Sequence, residues 1–122
     1  MAKIRPDELD VRLNGDSGPF VLDIRPKDNY RRTAIDGSFN APVYDDVRSG
    51  DDESLRAYFD EIPRDRDVVV VCKMGIVAKR ATKFLQSEGY DATTLAGGMS
   101  GWTGYRNGTL GYKLRSLLWR LF

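Results

Sequence analysis

The sequence contains no histidine and only one cysteine, Cys72, among its 122 residues. The absence of histidine excludes general bases and Ser-His-Asp triads that depend on an imidazole, and it removes the commonest metal ligand. A single cysteine excludes an intramolecular disulfide and any cysteine cluster for zinc or iron–sulfur. Covalent chemistry in this chain therefore falls to Cys72, without help from an imidazole.

The chain also lacks a long apolar run and an excess of charge of either sign. No stretch approaches the ~20 apolar residues that a membrane-spanning helix needs. The start, MAKIRPDELD, has no apolar segment typical of a signal sequence, so we expect a cytoplasmic protein. With 19 Lys and Arg against 18 Asp and Glu, the formal net charge is +1, which gives no reason to expect a nucleic-acid partner.

What the chain does contain is an alternation of short apolar strands with helical segments, at a length that suits one domain. The clearest strand is Val68–Val71, because four consecutive β-branched residues predict burial on both faces of a sheet. Further strands are predicted at 20–24 and 91–95, helices at 5–13, 26–32, 54–59 and 76–87, and an acidic loop at 43–53. The alternation predicts an α/β fold with a parallel sheet.

Cys72 opens the segment that joins the strand at 68–71 to the helix at 76–87. In open parallel sheets, ligands bind at the carboxyl ends of the strands, which is where this segment falls. Gly75 permits a tight turn with positive φ, so that backbone N–H groups can surround the sulfur as an anion-binding nest. The sequence therefore predicts a site at Cys72, although a cysteine at the end of an apolar strand is more often an inert core residue.

Positive charge is expected close to the sulfur. The helix that follows the loop presents its positive N-terminal end, equivalent to roughly half a charge. Lys73, Lys79 and Arg80 add cationic side chains in the same stretch of sequence. Together these charges favour the thiolate form of Cys72, which is the nucleophilic form.

Four stretches of the sequence have the character of a known pattern: VLDIRPKDNY at 21–30, AIDGSFNAPV at 34–43, VVVVCKMGIVAKRATKFLQSEGYDATTLAGG at 68–98, and Trp102 after the glycine pair. In order and spacing they resemble the rhodanese-like family, the single-domain thiosulfate sulfurtransferases. The resemblance implies a doubly wound sheet of about five mainly parallel strands with helices on both faces. The resemblance covers residues 5 to about 103, so we predict a rhodanese-like domain at residues 1–105. The rest of the chain, 106–122, is predicted to be a basic amphipathic helical extension.

The resemblance also implies roles for particular residues. Cys72 matches the family's nucleophile, which accepts a sulfane sulfur. The positions implied to bind the substrate are Lys73, Met74, Gly75, Ile76 and Val77 of the loop, together with Arg25 near the rim of the site. Asp23 and Arg25 match the family's Asp-x-Arg, and for this pair a structural ion pair is the interpretation that we favour over catalysis.

Two segments depart from the family's pattern. Thr33–Ser38 stands where the family often has Gly-His-Ile-Pro-Gly-Ala, but that histidine is not the base of the nucleophile. Ile76 and Val77 stand where many relatives place Arg, Ser or Thr. An apolar end to the loop loses a hydrogen bond or charge that would help to hold thiosulfate, so it predicts slower turnover.

The function implied by the resemblance is transfer of a sulfane sulfur from thiosulfate or a similar donor to a thiophilic acceptor through a Cys72 persulfide. The implied partners are a small sulfur donor and an acceptor that is a small molecule or a protein thiol, and no cofactor or metal is expected. The alternative is a non-enzymatic persulfide carrier or binding module that acts with a partner protein. Phosphatase or arsenate-reductase chemistry is rejected, because those sites need a longer loop that ends in an arginine, where this chain has Val77.

The last part of the chain forms an amphipathic pattern. Leu114, Leu117, Leu118, Leu121 and Phe122 share one predicted helical face, and Lys113, Arg115 and Arg120 are cationic with no acidic residue among them. Residues 112–122 could thus contact a partner, a second copy or a membrane surface. The interpretation that we favour is a helix whose apolar stripe packs on the domain's own sheet, since such a stripe is usually a core face.

Overall fold

The structure is a computed structural model that describes residues 3–108 and 110–121. Its strands are β1 (Lys3–Ile4), β2 (Phe20–Asp23), β3 (Phe39–Asn40), β4 (Val68–Val71) and β5 (Ala92–Leu95). Its α-helices are α1 (Pro6–Leu13), α2 (Lys27–Arg32), α3 (Tyr44–Arg48), α4 (Val77–Ser87), α5 (Gly98–Asn107) and α6 (Leu110–Leu121), and a 3₁₀ helix spans Asp52–Tyr58.

The five strands form one sheet in the order β1-β5-β4-β2-β3, and every neighbouring pair is parallel. β4 is the central strand, and all four of its valines are fully buried, as their β-branched run predicts. Parallel neighbours place the carboxyl ends of all strands at one edge of the sheet. The α/β prediction, with about five parallel strands, is confirmed.

Helices cover both faces of the sheet, so the sheet separates two apolar clusters. On one face, α3, the 3₁₀ helix and α4 pack their apolar side chains, including Val47, Leu55 and Leu85, against Leu22 and Val70. On the other face, α1 and α5 contribute Leu9, Met99 and Trp102 against Val21, Val69 and Val71. Alternate residues of the central strands therefore enter opposite clusters, which is the doubly wound arrangement.

Three parts of the secondary structure differ from the sequence-based expectation. The segment 43–53 is not a loop throughout, because α3 and the beginning of the 3₁₀ helix lie within it. β1 and β3 were not predicted, and each pairs through only two residues, which is too short to leave a pattern in the sequence. The fifth helix of the fold, α5, also lacked a helical signal, since four of its residues are glycine or asparagine.

α6 packs with the face opposite to the one expected. Tyr112 and Ser116 are buried, and the ring of Tyr112 lies between those of Tyr105, at 5.5 Å, and Trp119, at 6.0 Å. The leucines of the predicted stripe are instead exposed: Leu114, Leu117, Leu118 and Leu121. The expectation that this stripe faces the core is therefore wrong, and Phe122 lies outside the described residues.

None of the helices in the described ranges is long and apolar enough to cross a membrane. This finding includes α6, which has 12 residues and three cationic side chains.

An ion pair between α1 and the residue before β4 makes stability depend on pH. Arg12 donates to both carboxylate oxygens of Asp67, at 2.6 and 2.9 Å. The hydrogen bonds from Arg12 lower the pKa of the Asp67 carboxyl below its usual value. A depressed folded-state pKa contributes stability above the unfolded value of about 3.9 and loses it as pH falls through the folded value.

We expect Asp67→Asn to lower the free energy of unfolding at pH 7 by about 0.5–1 kcal/mol, a modest value because the pair is partly exposed. The difference from the parent protein should shrink at pH 3, below the unfolded-state pKa of about 3.9, because the unfolded chain then binds a proton at Asp67 more readily than the folded chain does. Urea unfolding at both pH values measures it, with Asp65→Asn, an exposed neighbour, as the control. An equal loss at pH 3 and pH 7 would contradict the assignment.

Candidate functional site around Cys72

Cys72 lies directly after β4, at the carboxyl edge of the sheet, and its sulfur is enclosed by backbone donors. The backbone N–H of Gly75 donates to Sγ at 3.1 Å, and that of Ala78 donates at 3.3 Å. Ala78 lies in the first turn of α4, so its N–H is one of those left without a carbonyl partner inside the helix. The predicted nest around the sulfur is present, and it offers the dipoles that stabilise a negative charge.

The side chain of Cys72 is only 1% exposed, so burial alone would suit an inert core residue equally well. The two N–H donors distinguish the two situations. A cysteine that served only as a small hydrophobe would have no need of backbone donors directed at its sulfur, whereas a thiolate or a bound sulfur does. The geometry thus favours the chemical interpretation.

Gly75 takes up the conformation that its type predicts. Its φ is +83°, in the left-handed region, and a Cβ there would lie 3.0 Å from the Gly97 nitrogen. Conformation and space both require glycine at this position. The turn at Gly75 is what carries its N–H back towards Cys72.

The start of α5 holds the loop from the other side, a contact that the sequence did not reveal. The N–H groups of Met99 and Ser100 donate to the carbonyl oxygens of Cys72 and Lys73, at 2.8 and 2.9 Å. Gly98 lies so close that a Cβ on it would be 2.3 Å from the Cys72 carbonyl oxygen. The pair Gly97–Gly98, which enters the sequence analysis only as part of the family pattern, therefore allows α5 to approach and support the cysteine loop.

The remaining side chains of the loop are divided between solvent and core. Lys73, Met74 and Ile76 are exposed, Ile76 at 72%. Val77 is partly buried and packs on the apolar cluster beneath α4. The apolar end of the loop thus consists of one solvent-exposed side chain and one that belongs to the core.

Arg25 is held in a buried ion pair. Its guanidinium donates to both carboxylate oxygens of Asp23, with the shortest contact at 2.7 Å, and to the Thr33 carbonyl oxygen at 2.7 Å. Both side chains are at most 5% exposed. Asn40 closes the turn by donating to the Asp23 and Arg25 carbonyl oxygens. The contacts fit the favoured interpretation of this pair as a structural one that fixes the end of β2.

A cavity of about 460 Å³ lies beside the loop and is lined by cations. Arg25, Arg32, Lys73 and Arg115 contribute to its wall, and none of the residues described there is acidic. Arg32 and Arg115 were not predicted as site residues, because they lie far from Cys72 in the sequence and belong to α2 and α6. The cavity is suited to small anions.

The other predicted cations near the sulfur have different surroundings. Arg80 donates to the Asp52 carboxylate at 2.8 Å, so its charge is largely compensated. Lys79 is exposed on α4. Asp23 likewise compensates the charge of Arg25. The positive charge on the cavity wall therefore comes from Arg32, Lys73 and Arg115, and the α4 N-terminus adds its dipole beside the sulfur.

Comparison with known proteins gives a consistent result. Residues 5–105 match the family described as the rhodanese-like domain. The thiosulfate sulfurtransferase GlpE of Shewanella oneidensis is 32% identical over 83 residues, which cover 67% of this chain and 73% of that protein. The tRNA sulfurtransferase of Desulfurococcus amylolyticus is 28% identical over 94 residues, but those residues are 77% of this chain and only 16% of that protein.

Among solved structures, a rhodanese-related protein from Thermoplasma volcanium superposes with a TM-score of 0.70. The match covers 86% of this chain and 93% of that one, at 23% identity, which supports the fold alone. The named relatives support sulfurtransferase activity in general terms. The Cys72 loop and the start of α5 that supports it lie within residues 5–105, which match the family, whereas α6 lies after them.

Proposed function

The chain belongs to the rhodanese-like domain family, and from this premise we propose that Cys72 accepts a sulfane sulfur from thiosulfate or a similar donor. The resulting persulfide then passes the sulfur to a thiophilic acceptor, either a small molecule or a protein thiol. The observation that carries the proposal is the pair of N–H groups directed at Cys72 Sγ.

The chemistry needs no external oxidant or reductant. The Cys72 thiolate attacks the outer sulfur of thiosulfate, a new S–S bond forms, and the original S–S bond breaks as sulfite leaves with its electron pair. An acceptor thiolate then attacks the terminal sulfur of the persulfide, and Cys72 departs as a thiolate. This is covalent catalysis in two steps, and neither step requires an imidazole base.

The loop amides assist both steps. Negative charge resides on Sγ before the attack and on the terminal sulfur of the persulfide afterwards. The N–H groups of Gly75 and Ala78, together with the α4 N-terminus, are fixed in place before the reaction and stabilise that charge without reorganisation. The α5 contacts to the Cys72 and Lys73 carbonyl oxygens keep the loop in this shape.

The cation-lined cavity supports an anionic donor. Thiosulfate carries two negative charges, and Lys73 and Arg115 lie on a wall that has no described carboxylate. Within this proposal, Arg25 contributes to the same wall while Asp23 holds it in place. The donor-binding residues that we propose are those of the loop, Lys73, Met74, Gly75, Ile76 and Val77, together with Arg25. Of these, Lys73 and Arg25 line the cavity.

A second candidate is a persulfide carrier or binding module that acts with a partner protein. The observation in its favour is Ile76, which is 72% exposed where a polar or charged group would help to hold the donor. An exposed isoleucine suits contact with an apolar surface better than contact with a dianion.

Sulfite release distinguishes the two candidates. The protein is mixed with thiosulfate and an excess of a small thiol, and sulfite is followed over many turnovers. Continuous release at a rate far above that of the thiol alone supports the enzyme. One equivalent of sulfite per protein, followed by slow release, supports the carrier. No sulfite at all contradicts transfer of sulfur from thiosulfate to Cys72 in either candidate.

A further inference from the structure

The exposed leucines of α6 form a continuous apolar face. Leu114, Leu117, Leu118 and Leu121 are between 54% and 68% exposed. The core leucines, by contrast, are fully buried: Leu9, Leu22, Leu55, Leu85 and Leu95. On an ideal helix these four side chains fall within an arc of about 100°. A contiguous set of exposed leucines indicates a surface that something else covers.

The orientation of this leucine face is fixed by the rest of the helix. Tyr112, Ser116 and Trp119 lie on the opposite side of α6. Tyr112 and Ser116 are buried, and a Cβ placed on Gly97 would lie 2.9 Å from the Trp119 ring. α6 is thus anchored on the α5 start by one side. The leucine face cannot turn inward without giving up these aromatic contacts.

Cations flank the leucine face on both sides. By helical position, Arg115 lies on one flank and Lys113 and Arg120 lie on the other. α6 contains no acidic residue. Lys113 and Arg120 are exposed, and the contact from Arg120 to Asp7, at 3.8 Å, is long. An apolar stripe between two cationic borders is typical of a helix that lies in a bilayer interface.

A second copy of the chain fits this surface less well. Two leucine faces brought together would place the same cations opposite one another, with no carboxylate on α6 to pair with them. The stripe also runs along a helix only about 18 Å long. A stable protein interface buries about 800 Å² on each partner, which is more than such a stripe offers.

We propose that α6 docks the protein on a lipid bilayer that contains anionic headgroups. The four leucines enter the interface, while Lys113, Arg115 and Arg120 meet the headgroup phosphates. Since Arg115 also lines the cavity beside the Cys72 loop, the docked protein holds that cavity close to the bilayer surface. This docking does not depend on sulfur transfer and is tested without it.

The experiment is flotation of the full chain with vesicles of phosphatidylcholine, with and without phosphatidylglycerol. The parent protein is expected to float with the anionic vesicles and to remain largely unbound with the neutral ones. The double variant Leu114→Gln/Leu118→Gln should lower the partition coefficient at least about tenfold, since glutamine keeps the helix but removes apolar surface. Val11→Gln, at an apolar position on α1 that is more exposed than either leucine, is the control away from α6 and should bind like the parent.

Charge is tested separately with Lys113→Gln/Arg120→Gln. We expect about a tenfold or greater loss on anionic vesicles, and a similar loss for the parent protein at high salt. Circular dichroism and urea unfolding show that each variant is folded.

Three outcomes would overturn the proposal: a folded parent protein that does not float with anionic vesicles, binding that the leucine variant retains, or binding equal on neutral and anionic vesicles. Light scattering tests the competing explanation, in which the leucine face binds a second copy of the chain. A dimer that the leucine variant dissociates, without vesicle binding, would assign the face to a second copy.

Discussion

Cys72→Ser is expected to abolish sulfur transfer from thiosulfate, with a loss of more than about 10⁴-fold in rate. A serine hydroxyl in the same nest would still accept the N–H bonds of Gly75 and Ala78, so the loop should keep its shape. It cannot form a persulfide, however, and the chain contains no other cysteine that could take over. Sulfite release under the conditions used for the parent protein measures the effect.

Cys72→Ala is the companion variant, because it removes the sulfur without introducing a hydroxyl. Both variants should unfold in urea close to the parent protein, which separates loss of chemistry from loss of fold. If either variant released sulfite at more than a small fraction of the parent rate, Cys72 would not be the nucleophile.

The second large effect is expected at Gly98, whose substitution by alanine should disrupt the cysteine loop. The added Cβ would lie 2.3 Å from the Cys72 carbonyl oxygen, 2.7 Å from the Gly75 nitrogen and 2.8 Å from the Lys73 carbonyl carbon. All three atoms are backbone, so no side chain can move aside. We expect a loss of about 3 kcal/mol or more in the free energy of unfolding, a large part of the stability of a small domain.

Gly37→Ala is the matched control for Gly98→Ala. Gly37 also has a positive φ, +81°, but nothing lies within 4 Å of a Cβ placed there. It should cost only about 1–2 kcal/mol, the penalty of the left-handed conformation. Urea unfolding of both variants tests the contrast, and equal losses would mean that the contact between α5 and the loop is not tight.

The sequence could predict those parts of the fold whose signals are local. Val68–Val71 and Phe20–Asp23 are apolar runs long enough to be recognised as strands, and the helix after Cys72 carries its apolar residues at helical spacing. β1 and β3 form because neighbouring strands pair with them. Each has only two residues, which is too few to show the apolar pattern of a strand in the sequence. α3 was missed because its acidic residues resemble those of a turn.

The same distinction holds for the site. The Cys72 loop could be predicted, because strand, cysteine, glycine and helix follow one another directly in the chain. The support from Met99 and Ser100 could not, since it depends on how α5 docks against β4. The family resemblance pointed to the glycine pair Gly97–Gly98, but it did not reveal that the backbone of the cysteine loop lies against these glycines.

The outcome for α6 shows what an amphipathic pattern leaves open. Periodicity identifies an apolar stripe, but it does not say whether that stripe meets the protein's own core. The side of α6 that faces the domain carries Tyr112 and Trp119 rather than the leucines. Tyr112 packs against Tyr105 and Trp119, and the ring of Trp119 lies against Gly97 at the start of α5. The leucine stripe lies between cations of a helix that has no acidic residue, a pattern that is also typical of an exposed interfacial helix.

The central claim, that Cys72 carries sulfur, is tested most directly by the intact mass of the protein after incubation with thiosulfate and removal of the excess. We predict a mass increase of one sulfur atom, which a reducing thiol reverses and which Cys72→Ser does not acquire. An unchanged mass for the folded parent protein, or the same increase in Cys72→Ser, would contradict it.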